Sequence, residues 1–255
     1  MAGVIPVVLL CSLLVGWVVA VPVHRFAEDA DGEGFAVACP AACDACGTEV
    51  TTGDIVPVRS WFGAGRSCTT CRTRRGWSWI APQLATPVLA LITTVALGPV
   101  ASLPAYLLLV VILVMTSVID LRTMLIPRRL VWGGLAGGLV AMAATSLWIG
   151  GWGNLIGALI GAAAYFVFLL ISWFILPSGL GFGDVRLGAL LGLFLGWISW
   201  PLVLPAMILG SALTVVQGLA VNGISGRSTP IPFGPALGLG ALVTIWVHGP
   251  ILNLL

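Results

Sequence analysis

Long apolar runs alternate with short polar breaks over most of this 255-residue chain. An α-helix needs about 20 apolar residues to cross the hydrocarbon core of a bilayer, and each of these runs has roughly that length. Proline or glycine stands at several of the breaks, as at Pro99, Pro104 and Pro201, where helices can stop or turn. The pattern predicts eight membrane-spanning helices, near residues 3–21, 81–98, 103–121, 129–149, 153–176, 185–199, 201–221 and 234–254.

The only sizeable polar segment lies between the first two predicted helices. It divides the chain into a first transmembrane helix over 1–21, a small polar domain over 22–80 and a seven-helix membrane domain over 81–255. A domain of about 60 residues is hard to stabilise with a hydrophobic core alone, so we expect a cross-link within it. The first apolar run has neither a preceding basic residue nor a convincing cleavage site, so we expect a retained span rather than a signal peptide.

The composition supports a membrane protein. Hydrophobic residues make up 59% of the chain and charged residues 8%, with a mean hydropathy of +1.12. A soluble globule needs more polar groups than this to cover its surface. The prediction is therefore an all-α polytopic membrane protein with about eight transmembrane helices. The net charge of +2 gives no reason to expect a nucleic-acid partner, because its arginines are spread over the loops.

The arginines predict the orientation of the helices, because the chain contains no lysine. They fall in every second loop: Arg25, Arg59, Arg66, Arg72, Arg74, Arg75, Arg122, Arg128, Arg129, Arg186 and Arg227. Since cytoplasmic loops carry the excess of positive residues, these loops are expected in the cytoplasm and both termini outside it.

Two aspartates stand apart from the other acidic residues. Seven of the nine carboxylates lie in the polar segment, and only Asp120 and Asp184 occur later. An ionised side chain within a membrane helix costs roughly 2.5–3.5 kcal/mol on insertion scales, so such residues are usually paired, exposed to water or functional. The loop pattern places both aspartates at the cytoplasmic face, where they could share one water for acid–base hydrolysis. An alternative is that Asp184 only caps the start of its helix.

Four cysteines of the polar segment have the spacing of a metal site. Cys43 and Cys46 form one C-x2-C pair, and Cys68 and Cys71 form a second. The two pairs are separated by 21 residues. This spacing is close to that of tetrahedral four-thiolate zinc sites. A cytoplasmic position favours zinc over disulfides, because the compartment is reducing. Cys39 is left as a spare thiol, either a replacement ligand or a free cysteine.

From end to end, the chain resembles the prepilin peptidases, a family of membrane aspartyl proteases with a GxGD motif. The resemblance is carried by five segments: Gly16–Arg25, Ile55–Cys68, Asp120 with Ile126-Pro127, Gly181–Leu187 (GFGDVRL) and Ile231–Ala241. It implies that Asp120 and Asp184 are the catalytic aspartates and that the four cysteines form a cytoplasmic zinc motif. Arg122 and Arg128 depart from the family pattern, which commonly has acidic residues at these positions.

The resemblance also implies a reaction and partners. The expected activity is removal of a short leader peptide from type IV prepilin or pseudopilin precursors at the cytoplasmic boundary of the bacterial inner membrane. One aspartate would act as base and the other as acid, with one proton shared by the pair. Many members also methylate the new amino terminus with S-adenosylmethionine, although no glycine-rich nucleotide loop stands out here.

Four further residues are expected to contact the substrate. Gly181 and Gly183 precede Asp184, and glycine permits an extended peptide to approach closely. Phe233 and Gly234 lie in a shaped loop that is expected before the last helix.

Two other hypotheses remain open from the residues alone. A proton-coupled transporter would explain a pair of carboxylates in the membrane, but it would not explain the cysteines. A noncatalytic scaffold for pilin-like subunits would use the aspartates only as helix caps.

Overall fold

The computed structural model describes residues 3–24, 41–43, 45–57, 60–61, 67–175, 180–222 and 231–249. Regular structure in these residues is helical, apart from two isolated bridges, Ala42–Glu49 and Ser67–Arg74. The described residues contain eight α-helices: α1 Val4–Val19, α2 Ala81–Leu97, α3 Leu103–Thr123, α4 Arg128–Ile149, α5 Trp152–Ile175, α6 Phe182–Ile198, α7 Val203–Asn222 and α8 Gly234–His248. The all-α prediction, with about eight helices, is confirmed.

Several of these helices are suited to crossing a membrane. Five stretches of the described chain are long and apolar enough: Val4–His24, Leu103–Thr123, Arg128–Ile149, Trp152–Ile175 and Trp200–Val221. The helices α2, α6 and α8 are shorter, with 17, 17 and 15 residues. Large apolar side chains such as Val140, Ile171 and Val215 are exposed on α4, α5 and α7. Because such surfaces suit lipid better than water, the protein is a multi-pass membrane protein.

Most predicted helix limits lie within two residues of the observed ones. Among the predicted limits that fall on described residues, the largest difference is at α6, which begins at Phe182 rather than at 185, because Asp184 lies inside its first turn. A short 3₁₀ helix, Trp200–Leu202, precedes α7 and moves its start to Val203. Cys39 and the predicted end of the last helix at 250–254 lie outside the described residues.

The chain divides into two compact units, Met1–Ile92 and Thr93–Leu255. The first unit has its own apolar core: Ala20, Val21, Ala41, Val50, Ile55 and Trp79. Gln83 of α2 is fully buried beside this core. Its amide nitrogen donates to the carbonyl oxygens of Ile55 and Trp79, each at 3.1 Å, and its oxygen accepts from the Trp61 indole at 2.9 Å. This satisfied amide ties the polar segment to α2.

In the second unit, α3 and α6 are the most buried long elements. The hydroxyl of Tyr106 on α3 donates to the carbonyl of Phe194 on α6 at 2.9 Å. The helices α5 and α6 approach each other closely through glycines, and a Cβ placed on Gly157 would lie 2.7 Å from the carbonyl oxygen of Gly196. Small residues permit such approach between membrane helices. These contacts fix α6, which carries Asp184, inside the bundle.

Candidate active site

The chain reverses direction directly after Asp120. Met124 ends α3 in the left-handed conformation, with φ 57° and ψ 26°, and its N–H donates to the Asp120 carbonyl at 2.8 Å. A left-handed residue is a common way to end a helix. Pro127 then serves as the N-cap of α4. Asp120 therefore lies in the last turn of α3, and the link to α4 folds back beside it.

The first residue of α8 holds the Asp120 side chain. Asp120 is 4% exposed, and its Oδ2 accepts a hydrogen bond from the Gly234 N–H at 2.9 Å. The first N–H groups of a helix have no partner within the helix, so they are natural donors to a carboxylate. A Cβ at position 234 would lie 2.8 Å from the same carboxylate oxygen. This approach therefore requires glycine.

Asp184 is held by the turn that opens α6. Gly181 is the extended N-cap residue, with ψ 145°, and its N–H donates to Asp184 Oδ2 at 3.1 Å. The other oxygen, Oδ1, is buried and has no hydrogen-bond partner among the residues that the structure describes. The capping alternative thus accounts for only one of the two oxygens. A buried carboxylate oxygen without a partner is costly, which points to a role for Oδ1 beyond capping.

The ends of three helices meet at the two aspartates. The carboxyl groups of Asp120 and Asp184 are close enough to interact electrostatically. Ile126 lies between the Gly183–Asp184 segment and Gly234, the residue that binds Asp120. A Cβ on Gly183 would be 2.9 Å from Ile126 Cβ, and a Cβ on Gly234 would be 3.3 Å from Ile126 Cδ1. The C-terminal end of α3 and the N-terminal ends of α6 and α8 therefore form one site.

The four predicted substrate contacts lie at this site in different ways. Gly181 and Gly234 bind the aspartates through their N–H groups, and Gly183 packs against Ile126. Phe233 is partly buried, and its carbonyl accepts from the N–H of Leu237 within α8. Contact of these four residues with a substrate stays a prediction.

Sequence reasoning missed two features of the site. It used Ile126 only as part of a motif, although the side chain contacts both glycine-containing segments. It also named Gly234 as a substrate contact at the predicted start of the last helix. The start of α8 at Gly234 is confirmed, but the hydrogen bond from the Gly234 N–H to Asp120 was not expected. Gly183 and Gly234 are both visible in the sequence. Their significance becomes clear only when Ile126 is known to pack against both of them.

The four cysteines come together in the first unit. Their Sγ atoms all lie within 4.8 Å of one another, and none of the four is in a disulfide. The Sγ atoms of Cys43 and Cys71 are 3.8 Å apart, and those of Cys46 and Cys68 are 3.7 Å apart. Zinc–sulfur bonds of about 2.3 Å in a tetrahedron place the sulfurs about 3.8 Å apart. The cluster therefore has the dimensions of a four-thiolate metal site.

Both cysteine pairs use the same backbone plan. The carbonyl of Cys43 accepts from the Gly47 N–H at 2.9 Å, and the carbonyl of Cys68 accepts from the Arg72 N–H at 3.1 Å. Gly47 and Arg72, which follow the second cysteine of each pair, have φ of 69° and 57°. A left-handed residue turns each loop sharply enough for both of its cysteines to face the same point.

A threonine follows each turn and lies close to a sulfur. The Thr48 hydroxyl is 3.2 Å from the Cys46 sulfur, and the Thr73 hydroxyl is 3.3 Å from the Cys71 sulfur. Hydrogen bonds from the Thr73 hydroxyl and the Thr73 backbone lower the pKa of Cys71 to about 6. Because the thiolate is the form that binds metal, this environment favours ligation.

Comparison with known proteins agrees with both parts of the structure. Residues 107–219 match the Type IV leader peptidase family, and residues 10–97 match the Bacterial Peptidase A24 N-terminal domain. Three similar proteins each carry the name "Prepilin leader peptidase/N-methyltransferase". The one from Aeromonas salmonicida is 31% identical over 94% of this chain and 89% of its own length. Those from Burkholderia pseudomallei and Bacillus subtilis are 34% and 27% identical, over 84% and 81% of this chain and 69% and 81% of their own lengths. No solved structure matches the chain.

Proposed function

The chain belongs to the type IV leader peptidase family, and on that premise we propose that it is a membrane aspartyl endopeptidase that removes the leader peptide from prepilin-like precursors. Asp120 and Asp184 are the acid–base pair of this reaction. The observation that supports the proposal most directly is the arrangement of the two carboxyl groups. They lie close enough to interact electrostatically, each has one oxygen held by a backbone N–H, and Asp184 Oδ1 is buried with no partner in the described part of the chain.

The proposed reaction is hydrolysis of one peptide bond. The ionised carboxylate takes a proton from a water molecule, whose oxygen attacks the carbonyl carbon. The protonated carboxyl group donates its proton to the carbonyl oxygen. The carboxyl group that took the proton from water then donates it to the amide nitrogen, and the carbon–nitrogen bond of the tetrahedral intermediate breaks. A hydroxyl of the intermediate returns its proton to the other carboxylate. The pair begins and ends with one proton, which belongs to the pair rather than to either aspartate.

The backbone contacts orient this pair. The N–H groups of Gly181 and Gly234 bind the Oδ2 atoms of Asp184 and Asp120, respectively. The other oxygen of each carboxyl group is left for water and substrate. Because the donors are backbone groups at helix starts, little reorientation is needed when the substrate binds, and such fixed geometry lowers the barrier.

The site is proposed to face the cytoplasm. The described arginines of the second unit flank the aspartate pair: Arg122, Arg128, Arg129 and Arg186. Three exposed tryptophans, Trp148 (89% exposed), Trp152 and Trp200, lie at the opposite helix ends. Both features suit a membrane protein whose arginines lie inside and whose aromatic residues lie at the interface. A precursor would then present its leader from the cytoplasm while its apolar segment stays in the bilayer.

The four cysteines are proposed to hold a structural zinc ion. Cys43, Cys46, Cys68 and Cys71 supply four thiolates at distances that fit tetrahedral coordination. When bound, zinc supplies a cross-link between the two cysteine loops, and thereby folding free energy that a small domain lacks. It takes no part in the proposed hydrolysis.

Methylation of the new amino terminus is proposed only from the names of the relatives. The first unit contains a cavity of about 160 Å³, lined by Cys43, Ala45, Val50, Thr73, Arg74, Arg75 and Trp79. Pockets that hold drug-sized ligands usually measure about 300–1,000 Å³. A cavity of about 160 Å³ therefore does not enclose S-adenosylmethionine. No residue is therefore assigned to methyl transfer, and the mass of the cleaved product decides whether a methyl group is added.

The test uses purified protein and candidate precursors, with the product ends measured by mass spectrometry. Asp120→Asn and Asp184→Asn should each reduce the cleavage rate by about 10²–10⁴-fold, the usual contribution of a general acid or base. Glu49→Gln changes an exposed carboxylate of the first unit and serves as the matched control. Undiminished cleavage by both asparagine variants would contradict the proposed pair. The noncatalytic scaffold would instead be favoured by wild-type protein that cleaves no precursor and by undiminished assembly of pilin-like subunits in the double asparagine variant.

The transporter hypothesis has its own assay. Proton-linked uptake into proteoliposomes, lost in the same asparagine variants, would support it. Family membership and the cysteine cluster favour the peptidase instead.

A further inference from the structure

The link between α3 and α4 inserts one apolar side chain into the aspartate site. Met124 and Leu125 of this link are 47% and 36% exposed, whereas Ile126 is partly buried and Pro127 is buried. The left-handed Met124 turns the chain back, so that Ile126 points towards the starts of α6 and α8.

Ile126 contacts both of these helix starts at positions that lack a side chain. Its Cβ and Cγ1 would lie 2.9 and 3.5 Å from a Cβ on Gly183, and its Cδ1 would lie 3.3 Å from a Cβ on Gly234. Different atoms of one branched side chain therefore contact the two segments. Gly183 precedes Asp184, and Gly234 donates to Asp120. Ile126 therefore lies between the two segments that position the carboxyl groups.

We propose that Ile126 is a positioning residue for the aspartate pair, a spacer between the Gly183–Asp184 turn and the Gly234 N–H that holds Asp120. The inference rests on the proposed function, because it concerns the same site. Interiors are close-packed, so removal of spacer atoms lets the two helix starts shift towards each other or move independently. Misplacement of reacting groups by about 1 Å can cost about 10²-fold in rate.

The atoms of Ile126 allow a graded test. Ile126→Val keeps the atoms next to Gly183 and loses Cδ1, the atom next to Gly234. Ile126→Ala keeps only Cβ. If Ile126 is a spacer, kcat should be about 10-fold lower than wild type in Ile126→Val and about 10²-fold lower in Ile126→Ala. KM should change by less than about threefold in both variants. Leu125→Ala, the exposed neighbour, is the control and should retain wild-type kcat and KM.

The kinetic outcomes separate the spacer from other roles. A rise in KM at constant kcat would overturn the inference and make Ile126 a substrate contact. Unchanged kinetics in both variants would overturn it as well. If Ile126→Ala does not fold, the Val variant alone decides, because it removes a single methyl group.

A second measurement is independent of activity. Cysteines introduced by Phe182→Cys and Phe233→Cys, next to the two contacted glycines, are cross-linked with reagents of increasing length, and the 182–233 product is identified by peptide mapping. Ile126→Ala should change the reagent length that gives the highest yield, whereas Leu125→Ala should not. An identical length profile would overturn the spacer. Cleavage by the asparagine variants would instead overturn the proposed function, whatever the cross-linking shows.

Discussion

Gly183 and Gly234 allow close contacts at the aspartate pair because neither has a side chain. Gly234 brings its N–H within 2.9 Å of Asp120 Oδ2, and Gly183 admits Ile126 beside Asp184. Neither position has a positive φ, so conformational freedom is not the reason for glycine. Close approach is the reason, since any Cβ would displace a carboxylate or the partly buried Ile126.

We expect Gly234→Ala to impair cleavage without unfolding the protein. The new Cβ would lie 2.8 Å from Asp120 Oδ2, so the N–H contact must lengthen, and kcat/KM should fall by about 10–10²-fold. Gly238→Ala, one turn later on α8, is the matched control, because its Cβ meets only the flexible end of Leu113 at 3.3 Å. Equal kcat/KM for the two variants would show that the approach at Gly234 has no catalytic consequence.

At the scale of elements, α6 depends on its neighbour α5. Gly157 packs against Gly196, and Gly161 packs against Gly192, so the two backbones come into direct contact. Lipid tails are as apolar as side chains, and association of membrane helices therefore depends on close packing rather than on the hydrophobic effect. The side chain of Asn154 adds a hydrogen bond to the carbonyl of Trp197 at 3.0 Å. Together these contacts hold the helix that begins with the Asp184 turn.

Gly192→Ala should destabilise this helix pair. Its Cβ would overlap the carbonyl oxygen of Gly161 and lie 2.9 Å from the Cα of Ala162, which are backbone atoms that cannot rotate away. Overpacking of this kind typically lowers the free energy of unfolding by about 1–3 kcal/mol. Thermal unfolding in detergent should show a lower Tm for Gly192→Ala. Gly153→Ala on α5 has nothing within 4 Å of its Cβ and should leave the Tm near that of the wild type.

At the scale of the whole molecule, the chain consists of a first unit, Met1–Ile92, that contains the four-cysteine cluster, and a second unit, Thr93–Leu255, that is a helical bundle. The first unit depends on a small apolar core, the Gln83 contacts and the four cysteines. The second depends on helix packing. Stability of the first unit is therefore expected to respond to metal, and that of the bundle to the size of residues between helices.

Zinc removal provides the test at this scale. The purified protein should contain about one zinc ion per chain, as expected for a single four-thiolate site, and a strong chelator should lower its Tm. Cys46→Ser and Cys68→Ser should reduce the zinc content, measured by elemental analysis. Cys11→Ser removes a thiol of α1 outside the cluster and should leave the zinc content unchanged. Full zinc content in both cluster variants would contradict the proposed ligands.

The number and type of the helices in the described residues, the two lone aspartates and the four cysteines could all be predicted from the amino-acid sequence. These follow from local properties, because the length of an apolar run and the chemistry of a residue do not depend on distant contacts. The start of α6 was placed three residues late because a glycine-aspartate stretch has the composition of a loop.

Which backbone N–H binds which carboxylate oxygen depends on how the helices pack. The bond between Gly234 and Asp120 joins residues 114 positions apart, and Ile126 meets Gly183 and Gly234 from a third segment. No periodicity or spacing within one segment encodes such contacts. They arise when packed helices bring their ends to one point, where residues from three segments come into contact.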